Sequence, residues 1–374
     1  MPKDVGQADS LPRQTEPSAP PCYRSTCERW GRRFRLPAEC VTASNGADFM
    51  ASRKIEEKLD RLSSLRQADR TEAIAALRTA LADRANVVVA KSAKIAAELE
   101  LQDLTPDLVR AFDRLFEKPD ETDPQCWGKN AIAITLRDFG YQSAAPFLRG
   151  LRHIQMEPVW GGREDTAQVL RAACCAALPQ CADLTRDEVL RHLVDALTDV
   201  SDKVRVDAAR SIEHMGGADS ALLLRLKARI GDKEGHVTGQ AFESLLRLER
   251  DGALPFVAEF LDSDDEICAE AALALGSSRL PEALTILKKA WNRERDWSRK
   301  QILLRGLSAS LLPEALEFLL DLLKSGREVD AAQALDALAL HRDAAEIKRM
   351  VEEAINGSGN AELQARFHRL FISS

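Results

Sequence analysis

Apolar residues recur at helical spacing along most of the chain from residue 50 onward. Val189, Leu190, Leu193, Val194 and Leu197 follow an order that places them on one face of a helix. The next segment repeats the arrangement with Val204, Ala208, Ala209, Ile212 and Met215. Segments of this kind, about 10 to 17 residues long, alternate with short stretches rich in Gly, Pro and Asp. The pattern predicts an almost entirely α-helical protein.

The predicted helices come in pairs with a regular period. The last large apolar residue of each second helix lies at Leu99, Phe139, Leu178, Met215, Leu248, Leu275, Leu307 and Leu340. Successive positions are about 27 to 40 residues apart, which is typical of an α-solenoid built from two-helix units. We therefore predict an all-α solenoid, a right-handed superhelix of about eight antiparallel helix pairs over residues 50–374.

The positions of the prolines support the same division of the chain into helix pairs. Each of five prolines falls at the start of a predicted first helix, where the missing backbone N–H costs nothing. These are Pro106, Pro146, Pro255, Pro281 and Pro313. The segment Leu-Pro-Glu-Ala-Leu at 280–284 also recurs at 312–316. A common position within the repeat explains both observations.

Two segments resemble a known repeat family. Residues 197–216 (LTDVSDKVRVDAARSIEHMG) resemble the HEAT repeat, and residues 264–276 (DDEICAEAALALG) are similar to the short HEAT-like variant named after phycobilisome lyases. The resemblance covers about residues 51–357 and implies stacked helix pairs. It implies little about function, because the repeat occurs in scaffolds, lyases, hydroxylases and DNA-repair proteins.

Composition narrows the possible functions. The 55 Ala and 50 Leu residues favour helices, whereas the aromatic content of 5% argues against an all-β fold. The formal net charge of -7 disfavours a nonspecific nucleic-acid binder, which needs a basic surface. No apolar run approaches the length of about 20 residues that crosses a membrane. We expect neither nucleic acid nor a membrane as partner.

The first 49 residues differ from the rest. They are rich in proline, lack helical periodicity, and are predicted to be a disordered leader, with Met50 as an alternative start. The thiols of Cys22, Cys27 and Cys40 lack the paired spacing of common zinc sites. The other cysteines are predicted to be buried free thiols in a reducing cytoplasm, and no metal or other cofactor is predicted.

Catalytic alternatives lack their sequence signatures. HEAT-like deoxyhypusine hydroxylases bind iron through His-Glu dipeptides, and this sequence has none. HEAT-like alkylpurine DNA glycosylases need a basic concave face, which an acidic array does not offer. A bilin-lyase-like enzyme or chaperone is the main alternative, because those proteins share the repeat type. No catalytic residue can be assigned for it.

One edge of the predicted array stands out. The loops 119–127 and 153–165 should be neighbours, which would place Trp127 and Trp160 on one rim, and a later loop carries Trp297. Exposed Trp together with Arg is the favoured composition of a binding hot spot. The candidate binding residues are Trp127, Lys129, Trp160, Arg163, Glu164, Asp165 and Trp297.

The alternative interpretation of this edge is structural. Trp127 and Trp160 would then cover the loop's own hydrophobic gap. The acids Asp199, Asp202, Asp232, Asp262 and Asp264 are predicted to cap helices. Weighing both, we predict a cytoplasmic, noncatalytic scaffold or adaptor that binds protein partners through the second helices and this rim.

Overall fold

The computed structural model describes residues 46–372. From Arg53 onward the described chain forms one unit. Its first helix begins at Gly46, four residues before the predicted start at Met50. The remainder of the predicted leader, including Cys22, Cys27 and Cys40, lies outside the described residues.

Helices account for nearly all of the described chain. In chain order the elements are α1 (Gly46–Ser64), α2 (Arg70–Leu81), α3 (Asn86–Glu98), α4 (Thr105–Arg114), α5 (Pro119–Thr122), α6 (Trp127–Asp138), α7 (Ala144–Leu151), β1 (Met156–Val159), β2 (Gly162–Asp165), α8 (Gln168–Ala177), α9 (Arg186–Ala196), α10 (Asp202–Met215), α11 (Gly217–Ile230), α12 (Gly235–Glu249), α13 (Leu254–Ala258), α14 (Asp265–Ser277), α15 (Pro281–Arg293), α16 (Trp297–Ala309), α17 (Pro313–Ser325), α18 (Glu328–Leu338), α19 (Ala345–Ser358) and α20 (Ala361–Phe367). Short 3-10 turns connect several of them.

The helices form a solenoid of stacked pairs. The second helices α3, α6, α8, α10, α12, α14, α16 and α18 pack side by side in that order, and each also packs on the first helix of its own pair. The predicted all-α solenoid is therefore confirmed. The second helices end close to the apolar residues that defined the predicted period, and α19 and α20 add a further pair beyond the eighth.

Local sequence signals account for the helix starts. Pro106, Pro255, Pro281 and Pro313 occupy the first turns of α4, α13, α15 and α17, where no backbone hydrogen bond is lost. Pro146 lies in the first turn of α7. The predicted phase of the prolines is thus confirmed.

The apolar side chains of α9 and α10 are buried as their spacing predicts, except that Val194 is exposed. In α9 the side chains of Val189, Leu190 and Leu193 are buried, but Val194 is exposed. Its position at the edge of the stripe turns it away from both neighbouring helices. In α10, which packs between α8 and α12, the corresponding residues Val204, Ala208, Ala209 and Ile212 are buried and Met215 is half-buried.

Small residues let the helices α14 and α16 approach closely. A Cβ atom at Gly276 would lie 1.9 Å from the backbone oxygen of Gly306, and one at Gly306 would lie 2.6 Å from that of Ala272. No side chain could occupy either space. The two glycines therefore fix the distance between these helices.

The segment predicted as the long loop 153–165 is a β-hairpin in the structure. β1 and β2 pair antiparallel, with Val159 opposite Gly162. Each strand has only four residues, which is too short for an alternating pattern to indicate a strand in the sequence. The hairpin interrupts the helical array between α7 and α8.

Candidate functional site

The tip of the hairpin presents an aromatic side chain to solvent. Trp160 and Gly161 form the two-residue turn between the strands, and Trp160 is fully exposed. Gly161 has a φ of 89°, a backbone conformation that residues with a side chain rarely adopt. The turn therefore depends on this glycine, and the tryptophan beside it packs on nothing in the described chain.

The hairpin lies directly against the preceding intra-pair loop. The backbone N–H of Gln125 donates to both carboxylate oxygens of Glu157 at 2.8 and 2.9 Å. The side-chain amide of Gln155 donates to the carbonyl of Asp123 at 2.9 Å. Trp127, which begins α6 after this loop, is 47% exposed. The prediction that loops 119–127 and 153–165 are neighbours is confirmed.

A buried polar cluster holds the base of the hairpin. The side-chain oxygen of Gln155 accepts hydrogen bonds from the Lys129 ammonium at 2.8 Å and from the Cys126 thiol at 3.2 Å. The ammonium lies 3.6 Å from the Asp123 carboxylate, and both side chains are completely buried. Lys129 also lies 5.2 Å from the centre of the Phe116 ring. Burial lowers the pKa of Lys129 despite these partners.

The placement of Lys129 corrects the sequence interpretation. We predicted it on the rim beside the tryptophans as a binding residue, but the structure turns its side chain inward. Its position in the first turn of α6 explains this, because Leu115 and Gln155 converge on that turn. Lys129 supports the site from beneath and is not available to a partner.

The loop that supports the hairpin adopts an unusual backbone. Lys118, Gln125 and Cys126 have φ values of 51°, 61° and 54°, in the left-handed region that residues other than glycine seldom occupy. The Asp123 carboxylate stabilises the turn by accepting the backbone N–H groups of Gly128 and Lys129 at 2.8 and 2.9 Å. Such backbone persists only where the surrounding contacts determine it, and it is concentrated at functional sites.

An ion-pair chain anchors the other end of the hairpin. Arg171 of α8 contacts Asp165 at 2.6 Å and Asp199 of the next pair at 2.8 Å. The Asp165 carboxylate also accepts the backbone N–H groups of Gln155 and Ala167. Asp165, a predicted binding residue, therefore has a structural role, and Arg171 explains its position.

The acids predicted as helix caps divide into two groups. Asp264 caps α14 by accepting the N–H of Ile267 at 3.0 Å, as predicted. Asp232 instead binds Arg205 at 2.7 Å and Lys227 at 2.6 Å, and all three side chains are largely buried. Burial alone would raise the pKa of Asp232, but the hydrogen bonds from Arg205 and Lys227 outweigh it and hold the pKa well below its usual range.

The other acids in this group are not side-chain caps either. Asp199 pairs with Arg171, Asp262 pairs with Arg293 at 2.5 Å, and Asp202 lies 3.1 Å from a ring nitrogen of His236. The cap prediction failed because each pair of helices brings a basic side chain to the acid from a distant part of the sequence. Two of these basic residues lie about one repeat before their acids: Arg171 is 28 residues before Asp199, and Arg205 is 27 residues before Asp232.

The remaining candidate binding residues are exposed, but they do not all lie in the same part of the structure. Arg163 and Glu164 are exposed on β2 beside Trp160. Trp297 begins α16, is 64% exposed, and lies at an equivalent junction four helix pairs further along. The structure therefore places the loops that carry Trp127 and Trp160 side by side, and it places Trp297 on a different helix pair.

The sequence interpretation missed several exposed apolar residues near the tryptophans. Ile154, Met156 and Val159 of the hairpin segment are 65%, 40% and 38% exposed, and Val169 in the first turn of α8 is 41% exposed. We call these residues, with Trp127 and Trp160, the hairpin platform. Large apolar side chains exposed on neighbouring elements are a feature of protein interaction sites.

The structure offers little that would favour metal or thiol chemistry. Within residues 46–372 no group of three or more His, Cys, Asp or Glu side chains is placed to hold a metal ion. The five cysteines of this part are free and buried. Burial raises the pKa of Cys126 and Cys181 to about 11 and that of Cys175 to about 12, so these thiols are poor nucleophiles. In the same range no helix is long and apolar enough to span a bilayer.

Comparison with known proteins identifies the repeat. The family profile of HEAT repeats matches residues 223–308, which run from α11 to α16. Residues 223–308 therefore carry HEAT repeats. The matched HEAT repeats are the regular part of the array and do not include the hairpin. No curated protein matches the sequence.

Similar solved structures are also helical repeat proteins, at low similarity. The complex of CpcE and CpcF of phycocyanin lyase from Nostoc sp. PCC7120 is 18% identical, with 67% of this chain and 94% of that chain covered and a TM-score of 0.33. An engineered protein is 15% identical, with coverages of 85% and 94% and a TM-score of 0.33. Human deoxyhypusine hydroxylase in complex with glycerol is 16% identical, with coverages of 71% and 98% and a TM-score of 0.27. Similarity at this level does not identify a function.

Proposed function

We propose that this HEAT-repeat chain is a noncatalytic scaffold that binds a protein partner through the hairpin platform. The observation that carries the proposal is the full exposure of Trp160 on a hairpin with a buried polar base. A tryptophan that contributes no packing to its own chain has large apolar area available for a partner. Five buried free thiols fit a reducing compartment, and we propose the cytoplasm.

The rigidity of the base supports the same function. Gln155, Glu157 and Lys129 fix the hairpin by hydrogen bonds to the preceding loop, so Trp160 is positioned before any partner arrives. A surface that is already ordered loses little conformational entropy when it binds. A flexible loop with the same residues would bind more weakly.

A substitution at the hairpin tip separates binding from stability. We expect Trp160→Ala to leave the melting temperature unchanged within about 1 °C, because the side chain packs on nothing in the described chain. We expect capture of partner proteins from lysate of the native host, quantified by mass spectrometry, to fall at least about tenfold. Trp297→Ala is the matched control, since it removes an exposed tryptophan outside the hairpin platform.

Three outcomes would contradict the proposal. A large loss of stability in the Trp160→Ala variant would mean that the tryptophan has a packing role. Equal capture by the wild type and both variants would mean that the hairpin platform is not the binding surface. Absorbance of visible light by protein purified from the native host would indicate a bound chromophore and oppose a purely noncatalytic scaffold.

A further inference from the structure

A stripe of exposed apolar side chains runs along one face of α11. Leu222, Leu226 and Ile230 are 67%, 56% and 74% exposed, and their spacing of four residues places all three on the same side of the helix. The opposite side, which includes Leu224 and Ala228, is buried, and α11 packs on α10 and α12. The exposed fractions show that no described element covers the stripe.

This stripe distinguishes α11 from other first helices of the array. In α9, α15 and α17 the exposed side chains are mostly polar or charged. They include Asp187, Arg191 and Asp195 in α9, Thr285, Lys289 and Arg293 in α15, and Glu314, Glu317, Asp321 and Lys324 in α17. The helix-pair repeat itself does not require an apolar outer face, so the stripe on α11 points to a contact outside the pair.

The charged side chains of α11 are all paired within the chain. The ion pairs are Asp219 with Arg186, Arg225 with Glu249, Lys227 with Asp232, and Arg229 with Glu259. No unpaired charge of α11 therefore borders the stripe. Two copies of this helix can approach each other without repulsion between unpaired charges on it, although the whole chain has a formal net charge of -7.

The geometry of α11 suits pairing with a second α11 in antiparallel orientation. Side chains four residues apart form a ridge of the kind by which two helices pack. Around a two-fold axis at Leu226, Leu222 of one copy faces Ile230 of the other. Lys233, which is exposed in the loop after α11, then lies level with Asp219 of the second copy. Parallel pairing would instead bring Lys233 next to its own counterpart, so charge favours the antiparallel arrangement.

We infer that the chain forms a two-fold symmetric dimer through the stripe on α11. Three large aliphatic side chains from each copy form the apolar centre of the contact, and the polar side chains of α9 lie at its rim. The contact is centred on one helix of each copy, which places it near the lower limit of about 1,200 Å² for specific interfaces. We therefore expect a weak and reversible dimer.

The dimer extends the proposed function without depending on it. The stripe and the hairpin platform have no residue in common, so both platforms of a dimer stay available to partners. Two linked platforms bind a partner that has repeated sites more tightly than one platform does. A monomeric chain would leave the proposed function unaffected.

Sedimentation velocity of the full-length chain tests the inference over concentrations of about 1 to 300 µM. We expect the weight-average sedimentation coefficient to rise with concentration from that of a monomer towards that of a dimer. Leu226→Glu should raise the dimer dissociation constant at least about tenfold, because two carboxylates would meet at the two-fold axis. Val200→Glu is the matched control, since it places the same charge on an exposed aliphatic residue outside α11.

Disulfide cross-linking tests the orientation of the two helices. Leu226→Cys should cross-link two copies under mild oxidation, because the two-fold axis brings these positions within the Cα separation of about 7 Å that a disulfide allows. Leu222→Cys is the matched control, since its two copies lie about 12 Å apart along the helix axes and should stay unlinked. The wild type under the same oxidant gives the background from the native thiols.

Three results would overturn the inference. They are a monomeric wild type at every concentration, a dimer that Leu226→Glu leaves intact, and equal cross-linking of the Leu226→Cys and Leu222→Cys variants. Because Leu226 is exposed, Leu226→Glu should leave the melting temperature unchanged within about 2 °C. A larger decrease makes Leu226→Ser the variant to compare, with the same expected weakening of the dimer.

Discussion

Successive helix pairs contact each other differently in two parts of the array. From α11 to α16 the matched HEAT repeats are regular, and α14 and α16 touch backbone to backbone at Gly276 and Gly306. From α4 to α8 the contact is made through buried polar side chains, with Lys129 and Asp123 at its centre and a hairpin inserted between helices.

The difference shows where an inserted element can be accommodated. The hairpin extends the connection between α7 and α8, whereas the connection between α15 and α16 is only the segment 294–296. A polar interface adapts more readily, because hydrogen bonds from Gln155 and Glu157 can attach an additional element to the loop beside it. In this chain the irregular part carries the fully exposed tryptophan, and the regular part provides spacing.

The largest effect is expected at the buried ion pairs that connect successive repeats. Asp232→Asn should lower the free energy of unfolding by about 3 to 4 kcal/mol at neutral pH, because Arg205 would remain buried without a counter-charge. Urea denaturation followed by circular dichroism measures the change. A loss below about 1 kcal/mol would show that the pair contributes no more than a surface ion pair.

The pH dependence of this effect has a definite sign. The pKa of Asp232 is depressed in the folded state, so its contribution is present above the unfolded pKa of about 3.9 and is lost as the pH falls further. The difference between wild type and Asp232→Asn should therefore shrink in acid. Asp219→Asn is the control, because Asp219 pairs with Arg186 on the surface and should show a much smaller loss.

A second prediction concerns the regular part. Gly276→Ala should lower the free energy of unfolding by about 3 kcal/mol, since the new methyl group would overlap the backbone of Gly306. Gly357→Ala in α19 is the control, because its Cβ would meet no atom within 4 Å. That variant should gain about 0.5 kcal/mol from improved helix propensity. Similar losses at both glycines would refute the close-contact explanation.

A smaller effect is expected in the irregular part. Lys129→Met should lower the free energy of unfolding by about 2 kcal/mol, because the charged hydrogen bond to Gln155 is lost. Asp123 would still accept backbone hydrogen bonds from residues 128 and 129, which limits the loss. Hydrogen exchange should become faster in β1 and β2 and remain unchanged in α14 and α16.

The control for this experiment lies in the same loop. Lys118 is exposed and pairs only with the exposed Glu121 within the described chain, so Lys118→Met should leave exchange in the hairpin unchanged. Equal protection of the hairpin in both variants would mean that Lys129 does not hold it. The hydrogen bonds of Gln155 and Glu157 to the preceding loop would then be sufficient to fix the hairpin.

The sequence predicted the regular features of the fold well because they are local. Prolines mark helix starts, apolar spacing marks buried faces, and both signals lie within one helix pair. It also predicted that the loops 119–127 and 153–165 are neighbours, since stacking brings successive loops together. The period alone was sufficient for this inference.

The parts that were not predicted depend on distant partners. Lys129 is polar, and its burial requires Gln155, which lies 26 residues later in the chain. Asp232 resembles a cap until Arg205 is placed beside it by α10, the second helix of the preceding pair. The hairpin has strands of four residues, and hydrogen bonds to another loop hold it in place. None of these contacts leaves a periodic signal in the sequence.

The buried lysine also determines how this protein can be divided. Because Lys129 belongs to one helix pair and Gln155 to the connection within the next, neither pair is self-sufficient at this point. Transplanting the hairpin alone would leave the ammonium without its main acceptor. The smallest portable unit therefore runs from the start of α4 to the end of α8, residues 105–177, so the evolutionary or engineered exchange of this hairpin requires two adjacent repeats to move together.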